Sequence, residues 1–228
     1  MAAFPERHYF NDSTLLVAYS LSYRDIEEMM AERNIRVDHS TLNRWVITYS
    51  EQLEAEFRKK YKRQTGTSWR MDETYIKIKG QWHYLYRAVD KECHTIDFML
   101  NEKRDKKAAF DFFCKWIGDN GLPDKITIDK SGSNLSALET TNHFLCLVAL
   151  FGFQFFQLQI RQIKYLNNRV EQDHRGIKRI VKPMMGFKSF RNTGSTLAGI
   201  ELHRMLRKGQ HKLSDNRSLF EQFYGLAA

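Results

Sequence analysis

The sequence predicts a mixed α/β protein of element order βββαβαβα behind an all-helical N-terminal segment. Three observations carry this. Residues 15–61 repeat their apolar positions with a helical period and hold no proline or glycine. From about residue 69 the period drops to two, and three strand-like runs follow in succession. After residue 105, helical stripes alternate with short apolar runs, the pattern of later, parallel strands covered on both faces.

The elements follow in order. "SYRDIEEMMAERN" opens with Ser22 and, three residues later, Asp25, a capping-box start, and then sets Ile26, Met29 and Met30 on one face. "NIRVD" breaks that helix. "DHSTLNRWVITYS" restarts with Asp38 as N-cap and spaces Leu42, Trp45, Val46 and Tyr49 along one stripe. "EFRKKYKRQTGTS" loses periodicity and reads as a basic linker. "WRMDETYIKIKG" and "QWHYLYRAVD" are strands joined by a turn at Gly80, and "HTIDFMLNE" is a third. "DKKAAFDFFCKWIGDNG" aligns Ala109, Phe112, Phe113 and Trp116 on a helix ended by Gly118 or Gly121. Next come a short strand in "DKITID", a helix in "ALETTNHFLCLVALFG", a strand in "FQFFQLQ" and a polar helix in "NNRVEQDHRGIKRIVK". The expected domains are residues 1–64, helix-turn-helix and linker; 65–208, the α/β domain; and 209–228, a C-terminal tail.

Composition narrows the function. No apolar run approaches a membrane span, and "MAAFPERHYF" lacks the apolar core of a secretory signal, so a soluble cytoplasmic protein with no membrane partner is expected. Cys93, Cys114 and Cys146 are odd in number and widely spaced, which points to reduced core thiols rather than a disulfide framework or zinc cluster. The net charge of +9 is unevenly placed: residues 1–160 carry 22 Lys/Arg and 22 Asp/Glu, residues 161–228 carry 14 and 5. A basic final third suits a polyanion such as DNA, although basic tails are also common solvated surfaces.

Two acidic residues inside a strand demand a reason, because strands are depleted in them. Alternation places Asp72 with Thr74, Ile76 and Ile78 on one face; Glu73 falls with Tyr75, Lys77 and Lys79 and is expected in solvent. A carboxylate beside isoleucines needs a cation or hydrogen bonds to stay charged. Asp129 ends the "KITID" strand, where ligand sites form in open α/β sheets. Glu171 lies in the helix opened by Asn167 or Asn168, on one face with His174, Arg175 and Lys178, while Val170, Ile177 and Val181 form the packing stripe. Three carboxylates without clustered histidine or cysteine are a hard oxygen set suited to Mg²⁺ or Mn²⁺. Each has a structural alternative: Asp72 paired with a basic residue, Asp129 capping a turn in "DKSGSN", Glu171 serving a capping box three residues after Asn168.

The longer motifs add a resemblance. "MDETYIKIKGQWHYLYRAVDKECHTIDFML", "TIDKSGSN", "QIKYLNNRVEQDHRGIKR" and "MMGFKSFRNTGSTLAGIELHRM" resemble the DDE transposases of bacterial insertion sequences, insertion sequence family six, over residues 15–208. The resemblance implies an RNase H-like fold, with Asp72, Asp129 and Glu171 as catalytic residues holding two divalent ions, Mg²⁺ or Mn²⁺. It implies strand cleavage by water at each element end, then attack of the freed 3′-hydroxyl on target DNA, giving a cointegrate by replicative transposition. By the same resemblance Lys130 and Lys178 hold DNA, with Arg175 and Arg179 beside them, and His174 belongs to the motif without an assigned role. The implied partners are terminal inverted repeats, target DNA and at least one further copy of the chain, at the nucleoid when DNA-bound. If the N-terminal hairpin reads DNA, its second helix offers His39, Ser40, Thr41, Asn43 and Arg44 to phosphates and base edges. An ordinary helical hairpin fits that pattern equally well.

Two departures from the family pattern stand out. The 41 residues between Asp129 and Glu171 exceed the spacing usual in its best-known members, and the aromatic residue that often follows "DK" is absent. Two other classes stay open: a DNA-binding regulator or inactive domesticated copy whose acidic residues are structural, and a stand-alone hydrolase of RNA–DNA hybrids.

Overall fold

The computed structural model describes residues 17–129, 132–150, 158–212 and 217–226. They form two compact units, one from the described residues of Met1–Arg63, Ile78–Gly80 and Gly176–Ala228, the other from Gln64–Lys77 and Gln81–Arg175. Among the described residues no helix is long and apolar enough to cross a membrane.

The first unit is helical. Helix α1, Tyr23–Ala31, starts at the expected capping box: the Ser22 hydroxyl accepts from the Asp25 amide while the Asp25 carboxylate accepts from the Ser22 amide. Its Ile26 and Met30 are buried. Helix α2, His39–Glu56, is capped by Asp38 and buries Leu42, Val46, Ser50 and Leu53 at helical spacing. The expected linker begins instead as a π-helical continuation, Phe57–Tyr61. Phe57 is fully buried and Tyr61 stacks on His211, so two aromatics four residues apart hold the extra turn, while Arg58 pairs with Glu54 and Lys60 with Glu56.

In the same unit, helix α6, Phe190–Arg207, packs along α2. A Cβ on Gly199 would lie 2.6 Å from Ser50 Oγ and 2.9 Å from Val17 Cγ1, so the helices approach as closely as they do because that position is bare. Ser195 Oγ donates to Glu51 at 2.8 Å across the contact. The run "NTGSTLAGIELHRM" is thus largely a packing face. Within residues 209–228, helix α7, Leu219–Gly225, contributes to a core of Leu53, Phe57, Leu202, Met205, Leu206, Phe223 and Leu226.

The second unit is built on a five-stranded sheet of order β3-β2-β1-β4-β5. Strands β1, Ser68–Ile78, and β2, Gln81–Asp90, are joined by Lys79 and Gly80, both at positive φ (49° and 80°), the geometry of a type I′ hairpin turn. Strand β3, Thr95–Asn101, runs antiparallel to β2. Strands β4, Lys125–Ile128, and β5, Gln159–Gln162, extend the other edge in parallel. Helices α3, Lys106–Asn120, and α4, Gly132–Leu150, provide the crossovers, and α5, Lys164–Val181, follows β5. This is the expected βββαβαβα order. The strand expected in "FQFFQLQ" falls mostly outside the described residues; the observed β5 starts at Gln159.

Helix α3 bears out its stripe. Ala109, Phe112, Phe113 and Trp116 are fully buried against Trp69, Met71, Tyr86 and Ile128, each large side chain contributing roughly 1.5–3 kcal/mol of apolar burial. Gly121, at φ 80°, ends the helix. The cysteine expectation needs correction: Cys93 sits half-buried in the β2–β3 turn and Cys114 is exposed on the outer side of α3, so neither is a core thiol; Cys146 carries no described side chain.

Candidate active site

Parallel pairing of β1 with β4 aligns Arg70 with Thr127; continued two residues, that register brings Asp129 alongside Asp72. The neighbouring Asp72–Glu73 pair puts one carboxylate on each side of β1. Helix α5 supplies the third element, and three polar contacts fix its first half to the sheet. Asn167 Nδ2 donates to the Met71 carbonyl at 3.2 Å, Arg169 donates to the Lys91 carbonyl, and Asp173 accepts from Arg87 at 2.7 Å. Arg87 is fully buried, so this ion pair is a desolvated anchor whose loss would strand a charge.

These contacts also correct the expected start of α5. The helix begins at Lys164, so Asn167 and Asn168 are interior positions and Glu171 is no capping-box residue. Val170, Ile177 and Val181 are buried, as the periodicity requires. His174 is buried on the same helix, its Nδ1 3.8 Å from Asp72 Oδ2, too far for a hydrogen bond.

The electrostatics single out Asp72. Burial, then the charge of Glu73, then those of Asp129 and Glu171 push its carboxyl up to about 7. The charges of Asp129 and Glu171, carried by two other elements, thus act on Asp72 in the same direction as its burial. An all-oxygen donor set fits a hard divalent cation, and Asp72, Asp129 and Glu171 are the residues that could hold it.

Glu73 is the clearest departure from the sequence reading. It is buried rather than in solvent, paired with Arg104 Nε, while its Oε2 accepts from Asn134 Nδ2 at 3.1 Å. Alternation assigned its face correctly, but Arg104 and Asn134 of α4 meet it there. Arg104 Nη2 also lies 3.6 Å from Asp129 Oδ2, and Asn134 Nδ2 lies 3.4 Å from Asp129 Oδ1. Arg104 and Asn134 thus tie Glu73 to Asp129. Neither had a local signal beyond lying in "KRDKKAA" and "DKSGSN", next to elements that the site uses.

The remaining candidates are more scattered. Arg175, Lys178 and Arg179 are exposed on α5, whereas Lys130 lies outside the described residues. On α2, His39, Ser40 and Arg44 are exposed, Thr41 and Asn43 half-buried. The His39 ring lies 2.8 Å from Glu27 Oε2, tying α2 to α1. A second acidic group, Asp90, Glu92 and His94, brings its ligand atoms within 4.8 Å of one another at the β2–β3 turn.

Known proteins can now be set beside this geometry. The chain matches the DDE domain family over residues 66–210. It is 39% identical over 211 residues to the transposase for insertion sequence-like element IS431mec of Staphylococcus aureus strain Mu50, covering 90% of this chain and 89% of that protein. It is 38% identical, with the same coverage, to the transposase for insertion sequence element IS257 in transposon Tn4003 of Staphylococcus aureus. Among solved structures, the HTLV-2 integrase catalytic core domain in complex with magnesium (trimeric form) is similar at 16% identity and TM-score 0.45, over 60% of this chain and 84% of that one. A simian T-cell lymphotropic virus intasome in complex with PP2A regulatory subunit B56 gamma is similar at 13% identity and TM-score 0.44, over 62% and 50%. The chain belongs to the DDE transposases of bacterial insertion sequences, insertion sequence family six.

Proposed function

We propose that this transposase binds the terminal inverted repeats of its element through residues 1–64 and cleaves and joins DNA strands with Asp72, Asp129 and Glu171 of residues 65–208. The observation that supports it most is the buried Asp72 carboxyl, pushed up to about 7 by burial first, then by the charge of Glu73, and then by those of Asp129 at the end of β4 and Glu171 on α5. Those carboxylates would hold two divalent ions, Mg²⁺ or Mn²⁺; when bound, such ions activate the attacking oxygen and stabilise the leaving one.

The chain's own residues supply the frame. Arg87, Asn167 and Arg169 fix the first half of α5, and with it Glu171, against the sheet. Arg104 and Asn134 orient Asp129 from the opposite side of β1. Lys130, Arg175, Lys178 and Arg179 are assigned to DNA phosphates, and His39, Ser40, Thr41, Asn43 and Arg44 to the terminal repeat. Residues 209–228 have no DNA role in this scheme. The reaction runs as strand cleavage followed by attack of the 3′-hydroxyl on target DNA, yields a cointegrate, and uses at least a dimer in the bacterial cytoplasm.

The test is strand transfer by purified protein with a labelled element-end duplex and a plasmid target, in Mg²⁺ and in EDTA, beside Glu171→Gln. Joined product that needs both the metal and Glu171 is expected. Specific end binding without cleavage in any metal would instead indicate a regulator or an inactive copy, and hydrolysis without joining a stand-alone nuclease.

A further inference from the structure

One face of the hairpin β1–β2 carries a continuous stripe that the site above does not use. On β2, Tyr86 is fully buried against Phe112, Tyr84 is half-buried, and Trp82 is 59% exposed. On β1, Met71 is fully buried, Glu73 is buried, Tyr75 is 48% exposed and Lys77 is exposed. The helical cover therefore ends just beyond Glu73 and Tyr84, and the stripe runs on into solvent.

The exposed end is a patch rather than scatter. Two of the five large apolar side chains exposed among the described residues, Tyr75 and Trp82, meet edge to face at 6.2 Å between centroids. Tyr84 flanks Tyr75 at 5.4 Å, and Lys77 Nζ stands 5.9 Å from the Trp82 ring centre. Contiguous exposed aromatics mark a binding surface where single ones do not. Tyr75 lies two residues along the strand from Glu73, about 7 Å at the rise of a strand, and Glu73 pairs with Arg104, which reaches Asp129.

We propose that Tyr75, Lys77 and Trp82 form a stacking platform for a nucleobase drawn out of the duplex on the Glu73 face of β1, the side from which Arg104 reaches Asp129. The idea rests on the transposase reading. Aromatic faces next to a cation are what an unpaired base and its phosphate require: the ring accepts any base, and the ammonium meets the backbone charge. A duplex cannot offer base faces without unstacking, so the platform would stabilise an opened end and leave a fully paired one unaffected.

The experiment measures strand transfer by the full chain, wild type, Trp82→Ala and Trp82→Phe, on two kinds of element-end duplex. One is fully paired; the other carries a mismatch walked across the base pairs nearest the cleaved end. Trp82→Ala is expected to slow joining of the paired end about tenfold. A mismatch at the right position recovers most of that rate, because the base no longer has to be unpaired, and Trp82→Phe recovers most of it on paired ends. Equal rates for wild type and Trp82→Ala on paired ends overturn the platform alone, as does equal slowing on paired and mismatched ends. A Trp82→Ala chain that loses its oligomeric state in light scattering, without any mismatch effect, makes the patch a protein interface and likewise overturns the platform. A wild-type chain that neither binds nor joins the end overturns both the platform and the transposase reading.

Discussion

Two acidic clusters on the same sheet differ in how their charge is met. At the β2–β3 turn, Asp90 is 1% exposed, yet both its oxygens are occupied by the protein itself. Oδ1 accepts from the amides of Glu92 and His94 at 2.9 Å each, and Oδ2 accepts from the Gly66 amide at 3.0 Å and lies 3.2 Å from the His94 ring. On β1, burial, then the charge of Glu73, then those of Asp129 and Glu171 push the Asp72 carboxyl up to about 7. Geometric convergence alone would favour the first cluster, whose ligand atoms lie within 4.8 Å of one another. The two differ in the state of the buried aspartate: the Asp90 lone pairs are filled by amides that tie down a turn, whereas the Asp72 carboxyl is raised by burial and neighbouring carboxylates, which a bound cation would offset.

The sharpest way to break that contrast is to neutralise one aspartate of each cluster. Asp129→Asn is expected to lower strand transfer about a thousandfold or more, since a metal clamp supplies several kcal/mol at the reacting phosphate. Asp90→Asn is expected to leave the rate of the folded protein within a fewfold of wild type. Strand-transfer rates at matched folded fractions decide it; equal losses would make the turn cluster part of the chemistry.

The next effect is a pH dependence of stability in metal-free protein. Asp72 is raised from its ordinary 3.8 to about 7 in the folded chain, so the folded state binds more protons than the unfolded state between those values. Stability is then fullest below pH ~3.8 with respect to this group, falls as pH rises, and levels off above about 7, a change on the order of a few kcal/mol. Denaturant titrations in EDTA should show Asp72→Asn gaining stability over wild type as pH rises through that window. A constant difference would mean that the repulsion is relieved within the protein.

Asp90 should behave in the opposite sense. Replacing its carboxylate by an amide puts an NH₂ group where four donors converge, and leaving buried donors unmet costs about 1–3 kcal/mol. A fall in the urea midpoint at unchanged slope, and no gain at any pH, is the expected result.

The three carboxylates were legible as candidates because they break local rules. Asp72 is an acid on an isoleucine face, Asp129 ends a buried strand, and Glu171 opposes a clear Val170–Ile177 stripe. What stayed hidden depends on contacts between distant segments. Glu73 looked solvated because period-two alternation names a face but not how far along it a helix extends. Arg104 sits in the short β3–α3 connection, where no periodicity distinguishes an arginine that reaches a buried glutamate from one in water. The start of α5 was placed late because Asn167 resembles a cap, whereas its amide is used by the Met71 carbonyl on a neighbouring strand. The basic run "FRKKY" looked like a linker because charges mask the Phe57 and Tyr61 pair that the core requires.

The smallest effect gives the most direct discrimination between the clusters. A cation that binds only the folded chain stabilises it through mass action, by about 1.4 kcal/mol at ten times its dissociation constant. Mg²⁺ should therefore raise the melting temperature of wild type by a few degrees, and the rise should saturate. Asp90→Asn starts from a lower melting temperature but should show the same rise, because its turn has no lone pairs to give. Asp129→Asn should lose it. If the rise survives in Asp129→Asn and disappears in Asp90→Asn, the metal sits at the β2–β3 turn, and close convergence of ligand atoms, rather than unrelieved charge, locates it.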